Sequence, residues 1–101
     1  MPRWLSKVLN RIHTLAASGS VRLTDKALVE LAALDLSLDP DDVCLVLSDL
    51  TRDDFGERLR SQTSPEWLYV FKPEVAGIPV YLKLALRSDC VVISFHEDDQ
   101  Q

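Results

Sequence analysis

Polar side chains near the end of the sequence alternate with apolar ones, and their types suit acid–base chemistry on a phosphate. Tyr81, Lys83 and Arg87 occupy alternate positions of one aliphatic segment, and Ser94 and His96 do the same in the next. Alternation with a period of two predicts β-strands whose polar residues share one face. Histidine exchanges a proton near neutral pH, and cationic side chains stabilise developing negative charge. We therefore predict a single polar patch on the open face of a sheet.

The two residues Ser88 and Asp89 predict a hairpin loop between strands at 80–87 and 90–96. The resulting register makes four predicted pairs: Arg87 with Cys90, Ala85 with Val92, Lys83 with Ser94, and Tyr81 with His96. Directly opposed residues lie on one face with their Cβ atoms about 5 Å apart. The leucine-rich side of the hairpin is then expected to pack on helices.

Further cations are expected at the edge of this patch. A turn within 74–77 predicts that a strand at 67–72 places Val70 beside Tyr81, Leu68 beside Lys83, and Lys72 on the open side. Arg58 and Arg60 alternate along a strand at 55–62, and we predict that they complete a basic rim.

This set of side chains suits RNA cleavage by the substrate's own 2′-hydroxyl. A base removes the hydroxyl proton, an acid protonates the leaving 5′-oxygen, and cations stabilise the pentacoordinate phosphate. We expect His96 and Tyr81 to serve in proton transfer and Lys83 to hold the anion. The alternative is an ordinary solvated sheet face, since polar residues on one side of a sheet need no function.

The first half of the chain predicts the helices that support such a sheet. An apolar stripe at three- and four-residue spacing runs over 4–16 and ends at Ser18-Gly19. Thr24 is a predicted N-cap, and Asp39 followed by Pro40 predicts another helix start. The fold class is therefore α+β, with N-terminal helices on one face of an antiparallel sheet. We expect one domain over 1–101, with 97–101 as a frayed acidic tail.

Composition narrows the class of protein. The 101 residues carry a net charge of −5, which counts against a nonspecific nucleic-acid binder and leaves room for a local basic site. Cys44 and Cys90 have no metal-ligand spacing, so we expect two reduced thiols, no metal and no cofactor. No apolar run is long enough for a bilayer, and the sequence predicts a cytoplasmic protein without membrane association.

The chain resembles the MqsR toxins, ribonucleases of the RelE-like group in bacterial toxin–antitoxin systems. The similarity covers about 12–97 and is carried by the segments at 19–24, 50–55, 67, 70–73, 80–84 and 92–95. The resemblance implies a RelE-like fold and a metal-independent toxin that cleaves messenger RNA. It also implies a cognate antitoxin that neutralises this activity.

The resemblance also implies where the active residues fall. Family activity is attributed to a lysine after Asp-Phe, a glutamine after the tryptophan, the tyrosine of Val-Tyr-Leu-Lys, and a lysine after Ser-Phe. The tyrosine is retained as Tyr81, while Leu68 and His96 replace the glutamine and the last lysine. The first lysine falls at Gly56-Glu57, with Arg58 as its predicted substitute. An alternative reading is a catalytically degenerate toxin-like protein that acts as a binding partner, which Leu68, Glu57 and the acidic charge favour.

Overall fold

The computed structural model describes residues 2–99. Along the chain the elements are α1 (Arg3–Ala17), β1 (Val21–Leu23), α2 (Asp25–Ala33), α3 (Pro40–Ser48), a 3₁₀ turn (Arg52–Asp54), β2 (Phe55–Arg60), β3 (Trp67–Phe71), β4 (Glu74–Val75), β5 (Ile78–Leu86) and β6 (Cys90–Glu97). The predicted α+β class is confirmed. No helix in this described part is long and apolar enough to cross a bilayer.

The strands form one sheet in the order β1-β6-β5-β3-β2, and β4 pairs with the start of β5. Neighbours are antiparallel except at one edge, where β1 runs parallel to β6. The prediction of an antiparallel sheet therefore holds for all strands but this short edge strand.

The three helices begin where the sequence predicts, and α1 ends before Ser18-Gly19 as predicted. The stripe of α1 is buried, and Ile12 at its centre is fully inaccessible to solvent. Thr24 caps α2 by accepting the N–H of Ala27, while Asp39 and Asp42 form a reciprocal capping box at α3. Each cap satisfies N–H groups that have no partner within the helix and contributes about 1 kcal/mol.

One side of the sheet packs on the helices and forms the main core. Phe71 of β3 and Phe95 of β6 are completely buried there, together with residues of α1, α2 and α3. We call this side the helix-side face, and the opposite side the open face. The open face carries Tyr81, Lys83 and His96, each only partly buried.

The predicted register between β5 and β6 is half correct. Lys83 opposes Ser94 and Tyr81 opposes His96, as predicted. The pairs at the other end are wrong, because Leu86 opposes Cys90 and the connection has three residues instead of two. A β-bulge between the two halves restores the register.

The bulge changes which side chains face the helices. Leu84 opposes Val92, and both belong to the core, whereas the predicted register placed Val92 on the open face. Ile93 is the additional residue, and a bulge of this kind moves the following residues to the other face. Ser94 therefore lies on the open face beside Lys83.

Helix α2 covers the edge of β6 beyond the end of β1. Thr24 donates its N–H to the carbonyl of Val92 and its hydroxyl to the carbonyl of Ile93, and Glu30 accepts the N–H of Phe95. These bonds satisfy edge groups that β1 is too short to reach.

The first two residues of the predicted acidic tail are hydrogen-bonded to the sheet. Glu97 still pairs with Val80 in the sheet, and Asp98 donates its N–H to the carbonyl of Pro79. The last two positions of the predicted tail, 100 and 101, lie outside the described residues.

Candidate active site

Tyr81 and His96 form a stacked pair on the open face. Their ring centroids lie 5.0 Å apart with an interplanar angle of 10°. The pairing of β5 with β6 produces this contact, because the two residues are directly opposed on one face. An aromatic contact of this kind contributes about 0.5–1.5 kcal/mol and holds both rings in defined positions.

The hydrogen bond of His96 selects one tautomer of its neutral ring. Nδ1 lies 2.9 Å from the carbonyl oxygen of Glu97. A carbonyl oxygen only accepts, so Nδ1 carries the proton and Nε2 keeps its lone pair. The neutral ring can therefore act as a base through Nε2.

The surroundings of Tyr81 favour the protonated phenol. Burial raises the pKa of Tyr81 above its ordinary value, and the nearby carboxylates of Glu57 and Asp98 raise it further. Both effects disfavour the phenolate. At neutral pH the side chain is a proton donor held beside the histidine ring.

Ammonium groups flank the stacked pair on two sides. Lys83 lies two residues from Tyr81 along β5, opposite Ser94, and the ion pairs among residues 2–99 do not include it. Lys72 follows β3 on the open side, as predicted, with its Nζ 3.6 Å from Oδ2 of Asp98. The other carboxylate oxygen of Asp98 is buried without a hydrogen-bond partner.

The predicted positions of Arg58 and Arg60 are wrong. Arg58 opposes Tyr69, a helix-side residue, and its guanidinium lies 4.1 Å from the ring centroid of Trp4 and 3.9 Å from that of Trp67. Arg60 lies 4.7 Å from the Trp67 ring centroid. A bulge at Gly56 fixes this orientation, because it places Glu57, rather than the arginines, on the open face opposite Val70.

Arg87 is also absent from the patch. It follows the end of β5, six residues from Tyr81, which corresponds to about 20 Å along a strand. There it forms a two-pronged ion pair with Glu66, at 2.7 and 3.2 Å. The expected pairs of β3 are likewise displaced by two residues, with Val70 opposite Lys83 and Leu68 opposite Ala85.

A contribution from α2 to the open face was not predicted from the sequence. Lys26 donates to the hydroxyl of Ser94 at 2.8 Å and to Oε2 of Glu30 at 2.9 Å. In sequence these two residues are an ordinary charged pair four apart on a helix. Only the packing of α2 against β6 brings them to the open face.

Comparison of the sequence with known proteins assigns this chain to a family. Residues 6–97 match the family described as "Motility quorum-sensing regulator, toxin of MqsA". The chain belongs to the MqsR toxin family. A relative, the "mRNA interferase toxin MqsR" of Escherichia coli (strain K12), is 33% identical over 90 residues, which cover 88% of this chain and 90% of the relative. The resemblance inferred from the sequence motifs is thereby confirmed.

Two open-face positions depart from the MqsR residues named above. Leu68 opposes Leu59 on β2 and Ala85 on β5, so an apolar side chain occupies the glutamine position. Glu57, which follows the bulge, places a carboxylate within the Gly56-Glu57 position, where the resemblance implies a lysine. The cations of this patch therefore come from β3, β5 and α2, and not from β2.

Proposed function

We propose that this protein is an endoribonuclease toxin that cleaves messenger RNA without a metal, through attack of the 2′-hydroxyl on the adjacent phosphate. The observation that carries the proposal is the stacked pair of Tyr81 and His96 beside Lys83. The name of the Escherichia coli relative and the family match support the same activity. The protein would act on cytoplasmic RNA.

The proposed reaction requires two proton transfers. Nε2 of His96 accepts the 2′-hydroxyl proton, and the 2′-oxygen attacks phosphorus. The bond from phosphorus to the 5′-oxygen breaks, and Tyr81 donates its phenolic proton to that oxygen. The products are a 2′,3′-cyclic phosphate and a 5′-hydroxyl, while Lys83 stabilises the negative phosphate oxygens. This assignment is supported by the Nδ1 hydrogen bond of His96 and the raised pKa of Tyr81.

Cleavage by purified variants tests the two proposed roles. We expect His96→Ala and Tyr81→Phe each to slow cleavage by at least ~10²-fold, the usual contribution of a general acid or base. His13→Ala and Tyr69→Phe are matched controls, because both residues lie away from the open face, and they should leave the rate unchanged. Equal rates for wild type and His96→Ala, with both folded, would remove the histidine from the mechanism.

The chemistry itself has separate tests. Full activity in excess chelator is expected if no metal takes part. Replacement of the attacking 2′-hydroxyl by hydrogen should abolish cleavage, and the normal product should end in a cyclic phosphate. A 3′-hydroxyl product would contradict the proposed attack.

We further propose a cognate antitoxin as the protein partner. This partner follows from the family, whose members are described as toxins of MqsA. Expression of the wild-type chain should arrest bacterial growth, and co-expression of its antitoxin should restore it. Arrest that persists with the antitoxin bound would contradict neutralisation.

A catalytically degenerate toxin that only binds partners is the second candidate. Glu57 and Leu68 on the open face favour it, because they place a carboxylate and an apolar group where RNA would lie. It predicts no cleavage by the wild-type protein and no effect of His96→Ala. The variant comparison above therefore separates the two candidates.

A further inference from the structure

Charged side chains are distributed unequally on the two sides of the stacked pair of Tyr81 and His96. On the side of β2 and β3, one lysine, Lys72, stands against two carboxylates, Glu57 and Asp98. On the side of β6 and α2, Lys26 stands against one carboxylate, Glu30, and Lys83 lies on β5 between the two sides. A phosphate strand is therefore attracted toward α2 and repelled from β2.

The α2 side has hydrogen-bond donors suited to an anion. Lys26 remains substantially exposed, with a side-chain accessibility of 59%, although it contacts both Ser94 and Glu30. An ammonium group has three donor hydrogens, so the bonds to Ser94 and Glu30 leave one for a ligand. Ser94 itself is almost completely buried, so its hydroxyl anchors Lys26, and Lys26 presents the donor above β6.

Glu30 holds Lys26 in this position. One carboxylate oxygen accepts the backbone N–H of Phe95 at 3.0 Å, and the other accepts from Lys26. Burial alone would raise the pKa of Glu30, but its bonds to Lys26 and Phe95 outweigh that effect and the pKa is lowered. The carboxylate therefore stays charged and partly offsets the lysine when no RNA is bound.

We infer that Lys26, anchored by Ser94 and Glu30, forms a second phosphate-binding subsite, which takes the RNA phosphate next to the one that is cleaved. Ser94 and His96 are two residues apart on one strand, a separation of about 6.6 Å. Consecutive phosphates of one duplex strand are offset by about 3.4 Å along the helix axis, and their separation in space is larger, so neighbouring phosphates can span this distance. The inference rests on the proposed function, since it assumes that RNA binds at the stacked pair.

Binding of an uncleavable RNA tests the subsite separately from the chemistry. The probe is a fluorescein-labelled, mixed-sequence RNA in which every 2′-hydroxyl is O-methylated, and its Kd is measured over a range of salt concentrations. Lys26→Ala should weaken binding about 5- to 10-fold and reduce the slope of log Kd against log salt by about 0.7, the value for one phosphate of a single strand. Lys26→Arg should restore the slope.

Two further variants distinguish a phosphate contact from a structural role. Glu30→Gln keeps an acceptor for Phe95, loses the acceptor for Lys26 and removes the negative charge, so its effect on Kd should disappear when it is combined with Lys26→Ala. Lys7→Ala, on the exposed side of α1, is the matched control and should change neither Kd nor slope. A folded Lys26→Ala with the wild-type slope, or a Glu30→Gln whose effect on Kd persists in the Lys26→Ala background, would overturn the subsite.

The outcomes for this inference and for the proposed function can be separated. If the wild type cleaves unmodified RNA while Lys26→Ala keeps its affinity and slope, the subsite alone is wrong. If the wild type binds the probe through Lys26 and does not cleave unmodified RNA, the nuclease proposal alone is wrong. If it neither binds nor cleaves, both are overturned.

Discussion

The protonation of Tyr81 depends on groups that belong to three different parts of the chain. Burial against the neighbouring strands is the largest cause of its raised pKa, followed by the carboxylates of Glu57 and Asp98. A tyrosine must be protonated to act as an acid, so cleavage should decline as pH rises through this pKa. The carboxylates thus extend the active range toward alkaline pH.

Removal of one carboxylate should move this decline. In Glu57→Gln, the pKa of Tyr81 is expected to fall toward its ordinary value of 10.0, because one neighbouring negative charge is lost. Phenolate absorbance measures it in a Tyr69→Phe background, which leaves Tyr81 as the only tyrosine. The alkaline fall in cleavage should shift to lower pH by the same amount.

Asp41→Asn is the control for this titration, since Asp41 is an exposed carboxylate at the start of α3. It should leave the Tyr81 titration unchanged. Identical curves for Glu57→Gln and Asp41→Asn would show that the charge of Glu57 does not reach the phenol.

The free energy of unfolding should decline at alkaline pH, as the cleavage rate does. The folded protein binds the Tyr81 proton more tightly than the unfolded chain does. The associated stability is therefore complete below the ordinary pKa of 10.0 and is lost as pH rises through the raised value. In Glu57→Gln this alkaline loss in free energy of unfolding should be smaller.

Among the elements, the β5–β6 hairpin shows most clearly what the sequence could predict. Period-two alternation identified both strands and the pair of Tyr81 with His96, because that half of the hairpin is regular. The loop length and the bulge at Ile93 were missed. The longer loop displaces the register by one residue, and the bulge displaces it by one residue in the opposite sense. The two displacements cancel, so the alternation of side chains around Tyr81 and His96 is the same with or without them.

The turn between β4 and β5 carries a residue in an unfavourable conformation. Ala76 has φ 52° and the following Gly77 has φ 81°, the arrangement of a type I′ hairpin turn. Alanine is disfavoured in this left-handed region, whereas asparagine tolerates it. Ala76→Asn should increase the free energy of unfolding by about 0.5–1 kcal/mol.

Denaturant unfolding measures this change, with Ala32→Asn as the matched control. Ala32 is exposed in the right-handed backbone of α2, where asparagine costs roughly 0.5 kcal/mol relative to alanine. The same substitution should therefore stabilise one site and destabilise the other. A loss of stability at both sites would contradict the strain assigned to Ala76.

At the scale of the whole molecule, each face of the sheet has a separate task. The helix-side face holds the main core. The fold class of the protein was predicted from the helical and strand periods in the sequence. The open face holds the candidate site, of which Tyr81, Lys83, Ser94 and His96 were predicted together. The sequence did not reveal Lys26, because its position depends on how α2 packs against β6. The arginines were misplaced because their polar strand has no apolar alternation to fix its faces.

The core protects one thiol almost completely. Burial raises the pKa of Cys90 to about 12, while Cys44 on α3 is only partly buried. A thiol reagent attacks the thiolate, so it should label Cys44 well before Cys90 at mildly alkaline pH. In a Cys44→Ser variant, labelling of Cys90 should follow unfolding of the protein and accelerate with denaturant.

Cys90→Ala gives the complementary reading for Cys44 alone. In this variant, Cys44 should be labelled faster than the protein unfolds, and the labelling rate should hardly change at low denaturant concentrations. A Cys90 that reacts as fast as Cys44 in the native protein would contradict the sealed core between β6 and the helices.

The contact of Arg58 with both tryptophans makes intrinsic tryptophan fluorescence a probe of the folded state. Trp4 and Trp67 are its only tryptophans, and one guanidinium lies against both rings on the helix-side face. Intrinsic fluorescence therefore responds to detachment of α1 from β2 and β3, on the opposite side of the sheet from bound RNA. A fluorophore attached to RNA and the tryptophans of the protein can then be followed in one cuvette as independent signals, the first for occupancy and the second for the integrity of the fold.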